Sequence, residues 1–144
     1  MEFPQAAKFL IVRGAIFHTF DTITNLGVSV DHGKFFVIIG ENKESYIGAF
    51  FVNSNININV IKYKIQADLQ YELKKEDYPF LSKDISYLNC ASLLEIPKVG
   101  LENSINSNTT QYKASLLKEH LDEILDKLQK SPLYSKAVKD KYFK

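Results

Sequence analysis

Two apolar runs of strand length lie between residues 34 and 54, separated only by the polar residues Glu41-Asn42-Lys43-Glu44. The runs Lys34-Phe35-Phe36-Val37-Ile38-Ile39-Gly40 and Ser45-Tyr46-Ile47-Gly48-Ala49-Phe50-Phe51-Val52-Asn53-Ser54 are dense in β-branched and aromatic residues, as buried strands are. So short a link joins two such strands only as an antiparallel hairpin. A bent first strand is expected over residues 10–20, with Gly14 supplying the bend. In residues 55–66, Ile56, Ile58 and Val60 keep a period of two, and Ile61, Tyr63 and Ile65 resume it one residue out of phase. A β-bulge or break near Val60 would produce that shift. Residues 67–84 read as a polar excursion with a short strand at 71–73, and residues 85–96 as one more strand stopped by Pro97. Five or six short, closely linked strands favour a small closed or nearly closed antiparallel barrel over an open parallel sheet.

The pattern changes after an Asn/Ser-rich link at residues 102–108. Tyr112, Leu116, Leu117, Leu121, Ile124, Leu125 and Leu128 recur at spacings of three and four, which predicts an amphipathic helix over residues 110–129. Thr109 or Thr110 would cap its start, and Lys127 and Lys130 suit the negative end of its dipole. Leu117, Leu121, Ile124 and Leu128 should form its buried stripe. Ser131-Pro132 reads as an N-cap and first-turn proline, so a second short helix is expected over residues 132–142. The expected class is α+β. One domain spans residues 1–144, with a barrel core at about 9–105 and a helical segment at 109–143, because 144 residues leave no room for a second core.

Composition narrows the function. No window approaches the roughly 18 consecutive apolar residues of a membrane span, so no membrane partner is expected. Glu2 stands where a secretory leader carries basic residues, and the expected location is cytoplasmic. Cys90 is the only cysteine, which excludes an internal disulfide or a cysteine-rich metal site. Net charge is +1 and Arg13 is the only arginine, so any nucleic-acid contact must be small or led by lysine.

No glycine-rich phosphate loop, paired helical histidines or Gly-x-Ser-x-Gly elbow is present, so no cofactor and no metal are expected. His18 suits a structural role within the first strand, His120 the solvated side of the helix, and Cys90 a place in the core. His32 stands apart, in the turn Asp31-His32-Gly33-Lys34 just before a buried strand. A histidine there can move a proton, and a lysine two residues on can stabilise charge on a phosphate oxygen. That pair would suit metal-free RNA cleavage, in which the ribose 2′-hydroxyl attacks its own phosphate. The competing reading is an ordinary solvated turn. Asn53-Ser54-Asn55 closes the next strand, where it is either a polar strand end or part of the same rim.

The order of segments Arg13-Gly14-Ala15-Ile16, Lys34-Phe35-Phe36-Val37-Ile38-Ile39 and Ala49-Phe50-Phe51-Val52-Asn53-Ser54 resembles the MazF/PemK toxins. The similarity extends through Pro79-Phe80-Leu81, Ser86-Tyr87-Leu88-Asn89-Cys90 and the final helix, as in divergent phage and plasmid members. It spans about residues 11–130. The resemblance implies an SH3-like barrel and a sequence-selective endoribonuclease, often a homodimer, held inactive by an antitoxin protein. Lys34 stands where that family commonly has a phosphate-stabilising arginine, and Asn53-Ser54 where it has a Thr/Ser pair. The implied catalytic residues are His32, Lys34 and Ser54, with Arg13, Asn53 and Asn55 binding RNA. The alternative is a barrel of the same shape that binds protein or nucleic acid without cutting.

Overall fold

The computed structural model describes residues 11–20, 34–52 and 68–144. The expected hairpin is its centre. Strands β1 (Ala15–Thr19), β2 (Lys34–Glu41) and β3 (Ser45–Val52) pair antiparallel, with Ile16 opposite Val37 and Phe36 opposite Phe50. Asn42 builds the tight link by accepting backbone N–H bonds from Glu44 at 3.0 Å and Ser45 at 2.8 Å. The register slips between Ile38 and Gly40, which leaves Ile39 as the extra residue of a bulge.

Four more strands complete the sheet: β4 (Gln70–Lys74), β5 (Ile85–Asn89), β6 (Leu94–Pro97) and β7 (Thr110–Ser115). Their order is β4-β5-β3-β2-β1-β7, with β6 pairing β3 beside β5. Helices α1 (Lys98–Asn106), α2 (Lys118–Lys130) and α3 (Lys136–Tyr142) follow the sixth and seventh strands. The architecture is therefore α+β, a seven-stranded antiparallel sheet with three helices among the described residues. The sheet does not close there, since β4 and β7 end the path.

Alternation along β1–β3 sends side chains into two separate cores. Ile16, Val37, Ile39, Ala49 and Phe51 pack with β4, β5, α2 and the C-terminal Phe143. Phe17, Phe36 and Ile38 pack on the other face with Tyr46, Ile96 and Leu101, the last from α1. Because both faces of β2 are covered, its apolar run shows no polar alternation.

Several expectations are corrected. Residues 110–115 are not helical: they form β7, which pairs β1 and sets Tyr112 edge-on to Phe17 with centroids 5.8 Å apart. The helix starts at Lys118, so Ile124 and Leu128 are fully buried and Leu121 partly so, while Leu117, just outside it, is 42% exposed. Residues 102–106 of the Asn/Ser-rich link belong to helix α1, held by buried Leu101 and Ser104. Residues 85–96 hold two strands, separated by a turn at Cys90. The last helix begins after Ser135, whose hydroxyl accepts from Val138 N–H at 3.2 Å, whereas Ser131 accepts only from Leu133 N–H at 3.1 Å. The strand and bulge expected over residues 55–66 lie outside the described residues.

Candidate functional site

Lys34 is the first residue of β2, half-buried, with its Cα opposite Thr19 of β1. It has no ion-pair partner among the described residues. Alternation places it on the face of Phe36 and Thr19, where buried hydroxyls form a chain. Thr110 donates to Thr19 at 2.6 Å, the Ser104 and Thr110 hydroxyls lie 2.5 Å apart, and Ser104 reaches Thr109 at 3.0 Å. Thr19, Thr110 and Ser104 are nearly inaccessible, so each needs these bonds to offset lost water. Sequence reasoning read Thr109 and Thr110 as helix caps and missed the chain. Its one trace in the sequence is a pair of adjacent threonines five and six residues after Ser104.

The opposite face of the same sheet end carries aromatic rings. His18 meets Phe35 at 4.5 Å and Phe20 at 4.7 Å, and Phe35 meets Phe80 at 5.3 Å. Phe20 is 48% exposed. Ring faces at such a rim can stack on planar groups.

The other expected residues are distributed differently. His32, Asn53, Ser54 and Asn55 lie outside the described residues. Arg13 sits at the far end of β2, where its guanidinium donates to three backbone carbonyls: Ile39 at 2.9 Å, Tyr142 at 2.8 Å and Lys144 at 3.0 Å. These bonds hold the C-terminal segment against the sheet. His120 is not on a solvated face: it is half-buried, its Nδ1 2.7 Å from the Tyr78 hydroxyl, which also accepts the Leu117 N–H at 3.0 Å. Beside it the Tyr71 hydroxyl donates to Glu123, and burial together with that bond pushes the Tyr71 phenol well above its ordinary value. Cys90 is a core residue, its thiol pushed up to about 12 by burial. Among the described residues no three acidic, cysteine or histidine side chains group to hold a metal ion, and no helix is long and apolar enough to cross a membrane.

No protein-family model, curated protein or solved structure matches this chain.

Proposed function

We propose that the protein is a toxin-like, sequence-selective endoribonuclease of the MazF/PemK type, cutting RNA without a metal and restrained by an antitoxin protein. On this reading the seven-stranded sheet is an opened variant of the SH3-like barrel, and the chain acts from the cytoplasm, alone or as a homodimer. The observation that carries it is the β2–β3 hairpin, because antiparallel pairing puts the start of β2 beside the end of β3. Lys34 stands at that start with its charge uncommitted to an ion pair among the described residues. In the reaction the 2′-hydroxyl attacks the adjacent phosphorus and the 5′-oxygen leaves. Lys34 stabilises the charge gathering on the phosphoryl oxygens, His32 moves the proton and Ser54 orients the phosphate. The reading requires the hairpin register to run on beyond the described residues, so that positions 32 and 54 oppose each other.

The test is induced expression in a bacterium, with growth and RNA integrity followed together for wild type and Lys34→Ala, and then purified protein with a long RNA in chelator. Arrested growth and fragmented RNA for wild type, lost in Lys34→Ala, is the expected result. No cleavage by purified wild type would remove the enzyme reading.

A second reading is favoured by the rings at the same rim: a module that binds unpaired RNA without cutting it. Phe20, His18 and Phe35 offer stacking faces, and base stacking contributes about 1–3 kcal/mol per base. Phe20→Ala would then weaken RNA binding while no fragments form with either protein.

A further inference from the structure

At the opposite end of β2 from Lys34 lies a cavity of about 390 Å³, within the range of small-molecule sites. Ile11, Val12 and Ile38 form its apolar wall, and Arg13, Lys141 and Tyr46 contribute polar groups. Lys34 and Gly40 are six residues apart along the strand, about 20 Å at the usual rise, so this cavity is separate from the rim described above and does not depend on the nuclease reading.

Tyr46 marks it as more than a surface dip. The residue is only 5% exposed, yet its hydroxyl has no hydrogen-bond partner among the described residues. None of their side-chain polar atoms is both sealed from solvent and unpaired, so this hydroxyl must reach open space, and the cavity is the space that Tyr46 borders. Burial, with the carboxylates of Glu102 and Glu41 nearby, raises the phenol above its ordinary value and keeps it a donor. A phenol donor that opens onto the cavity without a protein acceptor is free to bond a ligand that brings one.

Charge decides what kind. Glu41 also lines the cavity, but Lys98 neutralises it at 3.1 Å, and the Lys98 ammonium lies over the Tyr46 ring at 5.1 Å from its centroid. Lys141 has no ion-pair partner among the described residues, and its ammonium only rests 5.2 Å from the Tyr142 centroid. Arg13 adds a second positive charge. Two cations and one carboxylate line the cavity, and Lys98 pairs that carboxylate, so the net charge of the lining is positive.

We propose that this cavity binds a small organic anion, its apolar body against Ile11, Val12 and Ile38 and its carboxylate or phosphate held by the Tyr46 hydroxyl and the Lys141 ammonium. The ligand bridges the β2–β3 hairpin and the C-terminal helix, so its binding also stabilises the docking of that helix.

Three probes separate the parts of the claim: benzoate, its uncharged isostere benzamide, and acetate, which has the charge without the apolar body. Each is titrated into the isotopically labelled full chain and followed by amide chemical shifts. Benzoate should give saturable shifts concentrated at Val12, Gly40, Tyr46 and Lys141, with benzamide and acetate each weaker by about five-fold or more. Tyr46→Phe removes an oxygen that no described residue bonds, so its melting temperature should match wild type while benzoate affinity falls by about five-fold. Lys141→Gln, at an exposed position, should show the same loss. The proposal is overturned if benzoate shows no saturable shifts, if benzamide or acetate binds as well as benzoate, or if both variants bind benzoate as wild type does.

Discussion

The two ends of β2 each carry a cation, and the fold employs them in opposite ways. At the Gly40 end, Arg13 donates to carbonyls of Ile39, Tyr142 and Lys144 and so ties the turn before β1, the bulge of β2 and the C-terminal helix together. At the Lys34 end, no ion pair among the described residues holds the ammonium, and half-exposed Phe20 stands at the rim. Guanidinium geometry suits the first task, because its planar donors can satisfy several fixed acceptors at once. A lysine at the second end, on the nuclease reading proposed above, keeps its charge available to a phosphate. Arg13 is thus committed to internal hydrogen bonds, whereas Lys34 has no ion pair among the described residues.

The largest effect that tests this contrast is on activity. Losing a preorganised charge-stabilising group costs roughly 2.7–4 kcal/mol of transition-state stabilisation, so Lys34→Ala should slow RNA cleavage by about two to three orders of magnitude. Its unfolding free energy should stay within about 0.5 kcal/mol of wild type, as for surface substitutions without buried partners. A large stability loss would show that Lys34 is structural and erase the contrast.

Arg13→Ala should reverse that pattern. Charge-assisted hydrogen bonds contribute about 1.5–3 kcal/mol each but not additively, so a loss of roughly 3 kcal/mol is expected in urea unfolding. Arg13→Lys should recover only a fraction, since an ammonium cannot span the three carbonyls. Cleavage measured well below the melting temperature should be nearly unchanged; a drop like that of Lys34→Ala would mean that Arg13 also contacts RNA.

Leu121→Asp should cost somewhat less, about 2 kcal/mol, by setting a charge against the apolar seam of α2. The Leu121 side chain passes 3.1 Å from where a Cβ on Gly14 would stand, and Gly14 has φ +90, a conformation that L side chains rarely adopt. The leucine therefore packs on the turn that carries Arg13, and hydrogen exchange should rise at that turn as well as in α2. Exchange confined to α2 would show that the clamp end does not depend on the helix.

How much of this was legible follows from where the determining contacts lie. The β2–β3 hairpin was readable because two dense apolar runs flank a polar link in which the Asn42 side-chain oxygen accepts from the next residues of the chain. Gln70–Lys74 was readable in part, since Tyr71 and Leu73 alternate with polar residues. Helix α1 was not, because only Leu101 and Ser104 are buried along it and an Asn/Ser-rich sequence gives little helical stripe. Residues 110–115 misled by coincidence of spacing. Tyr112 and Leu116 fall four apart as on a helix, but Tyr112 lies against Phe17 in a strand whose pairing with β1 outweighs the local pattern. Of the site, Lys34 could be placed from the strand start alone. The role of Arg13 could not, because two of its acceptors lie 129 and 131 residues away. The unpaired hydroxyl of Tyr46 and the bonded ring of His120 likewise depend on contacts that no local pattern encodes.

The smallest expected effect is the finest probe of the clamp. A Cβ at Gly40 would come 3.2 Å from the Tyr142 carbonyl oxygen and 3.4 Å from its Cβ, tighter than ordinary contact, so Gly40→Ala must push the end of α3 outward by a few tenths of an ångström. Overpacking of this kind costs on the order of 1 kcal/mol where the neighbour can give way, as a short terminal helix can. The same helix carries the Tyr142 carbonyl that Arg13 holds, so the displacement lengthens that bond without removing a donor. Cys90 reports on the result, because the Tyr134 hydroxyl donates to its carbonyl at 2.5 Å and Tyr134 packs edge-on to Phe143 with centroids 5.2 Å apart. Its thiol is buried and pushed up to about 12, so at pH 8 alkylation proceeds only through opening of the segment that covers it. Gly40→Ala should therefore raise the alkylation rate by about five-fold, the equivalent of 1 kcal/mol, while Lys34→Ala leaves it at the wild-type value. Equal rates in all three proteins would mean that the C-terminal segment opens independently of the contact at Gly40, leaving its docking to the Arg13 bonds, the Asn42–Tyr142 bond and the packing of Phe143.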